Sequence, residues 1–134
     1  MLDQQDSKRV GILIELDLSY PNISVFYPRV IQRLRNLFHE HGYREKLYVG
    51  HIPPGSPRPH HLTCREFLDD ARKGIFCGVA AVSTFPLAEW MDVLKARGVP
   101  VVGPVVDFDY GVGACDNLVM LREGVRRLLA LGCH

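Results

Sequence analysis

The chain has 134 residues, which suits one domain with a substantial core and is short for two. Hydrophobic residues make up 47% of it and charged residues 23%, an ordinary globular composition that argues against disorder. Its 16 basic and 15 acidic residues are well mixed and leave a formal charge of +1. Without a polybasic run, this segment is a poor candidate for holding nucleic acid or an anionic membrane by itself.

Cysteine usage and the start of the sequence favour a cytoplasmic protein. Four scattered cysteines form no C-x-x-C pair, and Cys77 and Cys115 lie in apolar, strand-like runs where a small buried thiol is usual. Reduced thiols therefore fit better than disulfides. The polar first nine residues precede no secretory apolar region, and no run approaches the ~20 apolar residues of a membrane helix.

In the first half of the chain, strand and helix patterns alternate. Residues 10–16 form an almost unbroken apolar run, typical of a central parallel strand covered on both faces. Apolar residues then recur at helical spacing over 30–38, and Gly42 suits the left-handed position after a helix. Residues 46–50 read as a second strand.

A proline-rich stretch over 51–62 reads as a loop, because proline lacks the N–H that a continuing strand needs. Thr63 and Glu66 have the spacing of a capping box, which predicts a helix that begins there and runs to about Lys73. Residues 76–82 are predicted to form the third strand.

The last third repeats the alternation. Pro86 suits the first position of a helix, and Gly98 its end. Strands are predicted over 99–106 and around 111–115, and Asp116 or Asn117 would cap a final helix that ends at Gly132. The apolar stripe of the first of these helices is Leu87, Trp90, Met91 and Leu94, and that of the final helix is Leu118, Leu121, Val125, Leu128 and Leu129.

This order predicts an α/β fold: an open, mainly parallel sheet with helices on both faces. Ligands of such sheets bind at the carboxyl ends of the strands. The turns there carry short hydroxyl and carboxylate side chains beside aromatic rings, a combination that suits a polyol such as a sugar. The alternative is that these residues are only caps and turn formers. The candidates are Asp17, Ser19, Tyr20, Ser83, Thr84 and Asp107.

Other chemistries have weaker support. No G-x-G-x-x-G follows the first strand, and neither a P-loop nor a G-x-S-x-G sequence is present, so we expect no nucleotide cofactor and no catalysis. His60, His61 and Cys64 could be imagined as zinc ligands, but they lack a second pair at metal-site spacing. A solvated loop is the better interpretation, and no metal is expected.

Five short segments carry further information when taken in order. They are an Asp-x-Ser-x-Pro turn, a His-Gly-Tyr helix end, a helix tail running through Gly-Val-Pro into a strand, an Asp-Asn pair and Leu-Leu-Ala-Leu-Gly, at residues 17–21, 41–43, 94–102, 116–117 and 128–132. Together they resemble the sugar-sensing domain of lac repressor and galactose repressor type transcription factors, over most of the chain from Arg9 to His134.

The resemblance implies a set of effector contacts. It assigns the turn after the first strand, including Asp17 and Ser19, to the ligand, and adds the aromatic pair Phe26 and Tyr27 after an insertion of residues 22–25. Small residues that end the third strand correspond to Ser83 and Thr84. The family's ligand-contacting aspartate after the fourth strand corresponds to Asp107, which lies two residues beyond the matching position.

The resemblance also implies a larger assembly. Residues 1–134 would be one lobe of a two-lobed effector-binding domain, with a second lobe after His134 and a helix-turn-helix module before Arg9. Partners would be a sugar effector, DNA through that module, and a second copy in a homodimer. Two alternatives stay open: a lobe of an exported sugar-binding protein of an uptake system, and a small flavodoxin-like or nucleotide-binding enzyme.

Overall fold

The computed structural model describes residues 9–57, 60–83, 88–103, 113–114 and 117–132. Strands and helices alternate along the chain, as the hydrophobic periodicity predicts. The elements are β1 (Arg9–Leu16), α1 (Phe26–Glu40), β2 (Arg44–Ile52), α2 (Arg65–Lys73), β3 (Gly78–Ser83), α3 (Ala88–Ala96), β4 (Val101–Gly103), β5 (Gly113–Ala114) and α4 (Asn117–Ala130).

The five strands among the described residues form one parallel sheet in the order β2-β1-β3-β4-β5. β1 lies inside the sheet, and its Ile12, Leu13 and Ile14 have no exposed surface. Apolar side chains on both faces of a strand need cover on both faces, which explains the unbroken apolar run. Within the described part of the chain, no helix has the length and apolarity to cross a bilayer.

The larger core lies between one face of the sheet and helices α2 and α3. Trp90 and Leu94 of α3 and Phe67 of α2 are fully buried there against Leu13 of β1 and Val101 of β4. The buried stripe predicted at Trp90, Met91 and Leu94 is confirmed. Leu87 and Pro86 lie outside the described residues.

Helix α1 covers the opposite face. Successive strand residues point to opposite faces, so Ile12 and Ile14 lie on the side away from Leu13. Phe38 of α1 lines a groove on this side together with Val10 of β1. The predicted α/β fold with helices on both faces of a parallel sheet is therefore confirmed.

Several predicted boundaries differ from the structure, and two of the differences lie near the candidate site. β2 continues through Ile52, so His51 belongs to a strand and not to the proline-rich loop. Helix α2 begins at Arg65 with Cys64 in the capping position, and no side chain caps it. The capping box fails because the hydroxyl of Thr63 has another partner, the carboxylate of Glu15.

The final helix differs from expectation in its burial. Helix α4 and its end at Gly132 (φ +82°) lie as predicted. Val125, Leu128 and Leu129 of the predicted apolar stripe, however, keep 54–56% of their surface exposed. Their periodicity identified a helix correctly, but these three side chains are not buried. Leu118 and Leu121 lie in α4, and Asp116 and Asp107 lie outside the described residues.

Candidate functional site

The strand order reverses at the carboxyl ends of β1 and β3, the place where proteins with open parallel sheets commonly bind ligands. From β1 the chain moves outward to β2 on one side, then crosses back to β3 on the other. The chain therefore leaves β1 and β3 in opposite directions, and in open parallel sheets a crevice commonly forms at such a point. Asp17 follows β1 directly, and Ser83 ends β3 in register with Ile14.

Asp17 and Ser19 form a preorganised turn at this edge. Oδ1 of Asp17 accepts hydrogen bonds from the Ser19 hydroxyl (2.6 Å) and the Ser19 backbone N–H (2.9 Å). These two bonds, the hydroxyl first, lower the pKa of Asp17 below its usual value, and the charge of His51 adds a smaller contribution. The carboxylate is therefore ionised near neutral pH and available to accept a ligand hydroxyl.

A second polar cluster joins the ends of β1 and β2 next to this turn. Glu15, only 4% exposed, accepts hydrogen bonds at Oε2 from the hydroxyl and the backbone N–H of Thr63. Thr63 Oγ1 in turn accepts the N–H of His51 at 3.0 Å. A Cβ on Gly50 would collide with the Glu15 backbone and with Thr63 Oγ1, so only glycine fits there. The cluster fixes the end of β2 beside β1, and the Asp17 N–H bonded to Ile52 O at 2.9 Å adds a second tie.

Replacing Thr63 with valine is expected to destabilise the fold by roughly 1–3 kcal/mol, because it leaves a buried carboxylate short of a donor and the His51 N–H without its acceptor. Urea unfolding followed by far-UV circular dichroism measures the change. Thr63→Ser keeps the hydroxyl and is the matched control. Equal stability of the valine and serine variants would contradict this role of the hydroxyl.

The aromatic candidates lie at the same edge but form their own cluster. Phe26 and Tyr27 open α1 with their rings edge to face at 5.5 Å, and Phe26 is 60% exposed. Tyr20 is 40% exposed and lies in the turn between β1 and α1. These rings are accessible to a ligand. Of the remaining candidates, Ser83 is partly buried, and Thr84 and Asp107 lie outside the described residues.

Glu15 and His51 also contribute to this edge, although neither was among the residues predicted from the sequence. The signal for Glu15 was a lone carboxylate in an otherwise apolar strand, which requires a buried hydrogen-bonding partner. No sequence feature pointed to His51, because the prolines that follow it predicted a loop for the whole segment. His60 and His61 are exposed, and no group of metal-ligating side chains forms among the described residues. Cys64 and Cys77 carry free thiols.

Comparison of the chain with protein-family models, curated proteins and solved structures finds no match. The fold class therefore rests on the architecture described above, and the function on the chemistry of the carboxyl edge.

Proposed function

We propose that this chain is the effector-sensing lobe of a transcriptional regulator of the lac repressor type, and that it binds a sugar or similar polyol at the carboxyl ends of β1 and β3. Effector held between this lobe and a second lobe shifts an open–closed equilibrium. In a homodimer that shift changes the spacing of paired DNA-binding modules and so couples effector to DNA affinity.

One observation supports the proposal: the segment between β1 and α1, at the carboxyl edge of the sheet, carries the hydrogen-bonded pair Asp17 and Ser19 and the exposed rings of Tyr20 and Phe26. Asp17 accepts from polyol hydroxyls, and the Ser19 hydroxyl exchanges hydrogen bonds with them. The exposed rings of Tyr20 and Phe26 offer flat apolar surfaces for the C–H face of a sugar ring. This combination is the one that the resemblance to sugar-sensing domains implies.

The same strand order occurs in flavodoxin-like proteins, which hold a phosphate at the first strand–helix turn. Asp17 argues against that use of this edge. Its carboxylate stands directly after β1, and its lowered pKa keeps it charged where a phosphate would have to sit. Helix α1 also begins ten residues after β1 ends, from Leu16 to Phe26, so its N-terminus does not directly follow the strand.

Titration of the ¹⁵N-labelled chain with a panel of sugars, nucleosides and inorganic phosphate tests the site. Half a binding cleft supplies few contacts, so we expect weak binding of a sugar, with amide shifts concentrated at Asp17–Tyr20, His51 and Ser83. Asp17→Asn removes the charge, keeps the shape, and should weaken that binding about tenfold, since hydrogen bonds to charged groups are the strong ones.

Asp69→Asn is the matched control, because Asp69 is exposed on α2, away from this edge, and should leave binding unchanged. Shifts that appear with phosphate instead of sugars, or that lie away from the carboxyl edge, would contradict the proposal. A sugar response that is equal in the Asp17 and Asp69 variants would remove Asp17 from the site.

A further inference from the structure

A polar pocket lies at the amino ends of β1 and β2, at the opposite end of the sheet from Asp17. It has a volume of about 460 Å³, and α1 contributes to it where that helix ends beside β2. Its lining residues are Arg9, His39, Tyr43, Arg44, Glu45 and Lys46. Pockets of this size commonly hold small molecules, and none of these residues belongs to the candidate effector site.

Two arginines begin the neighbouring strands that form this pocket. Arg9 and Arg44 are directly paired in the register of β1 and β2, so their side chains leave the same face of the sheet from backbones about 4.8 Å apart. Like charges paired directly across two strands are unfavourable. An anion held by both guanidinium groups would relieve that repulsion. The pairing therefore indicates an anion site at the start of the two strands.

The other charged groups of the pocket have partners of opposite charge. Oε1 of Glu45 accepts a hydrogen bond from Arg35 Nε at 3.3 Å. Nζ of Lys46 donates to Glu66 at 2.6 Å and to Asp70 at 3.0 Å, both on α2. The two paired arginines also make contacts inside the chain. A guanidinium carries five N–H donors in a planar fork, however, so it can hold an internal partner and an anion at the same time.

We propose that this pocket is a second ligand site, which takes a phosphate group between Arg9 and Arg44. Guanidinium groups bind phosphate through pairs of parallel N–H bonds, and these charge-assisted bonds are strong. Tyr43, 38% exposed, adds a hydroxyl to the lining, and its ring packs edge to face on Phe38 at 6.2 Å. The pocket has room for the organic part of a phosphate monoester as well as for the free ion. The inference goes beyond the proposed function and does not depend on it.

Titration of the ¹⁵N-labelled chain with inorganic phosphate and with glycerol 3-phosphate, at constant ionic strength, tests the site. Both should shift the amides of Arg9, His39, Tyr43 and Arg44, while glycerol alone should not. Tighter binding of the ester identifies a phosphorylated small molecule as the ligand, and equal binding identifies the free ion. Absence of shifts at these four amides would overturn the inference.

Arg44→Gln removes one guanidinium from an exposed strand position and should weaken phosphate binding at least about tenfold. Arg44→Lys keeps the charge without the planar fork and should weaken it less. Arg65→Gln is the matched control, because Arg65 is exposed at the start of α2, outside the pocket. Equal weakening by Arg44→Gln and Arg65→Gln would show only a general response to positive charge and would contradict the site.

The two proposed sites can be tested independently. Sugars report on the carboxyl edge, and phosphate reports on this pocket at the other end of β1. Asp17→Asn should leave phosphate binding at the pocket unchanged, and Arg44→Gln should leave the sugar response unchanged. The amide spectrum of each variant without ligand shows that it is folded. Loss of the phosphate response in Asp17→Asn would mean that phosphate binds at the carboxyl edge, and this inference would fail.

Discussion

Replacing Trp90 with alanine is expected to lower the free energy of unfolding by about 3–5 kcal/mol, the usual cost of removing a large aromatic side chain from a packed core. Trp90 has no exposed surface and lies edge-on to Phe67 at 5.8 Å. Phe67 stacks on Phe76 and meets Tyr48 edge-on, so these rings form one continuous aromatic cluster. Loss of Trp90 leaves a cavity at the end of that cluster where α3 meets α2.

Urea unfolding followed by far-UV circular dichroism measures this loss, since Trp90 is the single tryptophan and its fluorescence disappears with the substitution. Phe26→Ala is the control, because that ring is 60% exposed and its removal should cost little. A Trp90→Ala variant as stable as Phe26→Ala would mean that the α3 side of the sheet is not the main core.

The fold class could be predicted from the sequence because most of its helices and strands have a clear hydrophobic periodicity. Residues buried on both faces of β1 gave a continuous apolar run, and the helical spacing of Trp90, Met91 and Leu94 gave the buried face of α3. Both signals arise from side chains near one another in sequence. The open face of α4 could not be foreseen, since an apolar stripe indicates what a helix can bury and not what covers it.

The candidate site was predicted only where its contacts are local. The bonds from Ser19 to Asp17 span two residues, so these two candidates are brought together by the local turn. The hydrogen bonds from Thr63 to Glu15 join residues 48 positions apart, so no local sequence pattern could predict them. The capping box at Thr63 failed for the same reason: a buried carboxylate across the fold outcompeted the helix N-terminus for the hydroxyl.

A polar network joins α2 to β2, and it depends on one carboxylate oxygen of Asp70. Oδ2 of Asp70 accepts a hydrogen bond from the Tyr48 hydroxyl at 2.6 Å and from Lys46 Nζ at 3.0 Å. Tyr48 is only 1% exposed, so its hydroxyl has no access to water. Burial, and then the bond to Asp70, raise the pKa of Tyr48 far above its usual value, so the hydroxyl remains a donor.

Asp70→Ala is expected to destabilise the chain by roughly 2–4 kcal/mol, because it leaves the buried Tyr48 hydroxyl unpaired and removes a charged acceptor. The neighbouring Asp69→Ala is the matched control, since Asp69 is exposed on the same helix and should change stability by less than about 0.5 kcal/mol. Urea midpoints of the two variants provide the comparison. Equal midpoints would show that the network adds nothing to the packing of α2.

The same contact predicts how stability depends on pH. Burial alone would raise the pKa of Asp70, but the hydrogen bonds from Tyr48 and Lys46 outweigh it and bring the pKa below its usual value. A carboxylate whose pKa is lower in the folded than in the unfolded protein stabilises the fold fully at pH values above its unfolded-state pKa. That stabilisation is lost as the pH falls through its folded-state pKa. The difference between wild type and Asp70→Ala should therefore be constant from about pH 5 to 7 and shrink below about pH 4. Urea titrations at pH 7, 5 and 3 measure it, and a difference that instead grows as the pH falls would contradict an ionised Asp70 as the acceptor for Tyr48.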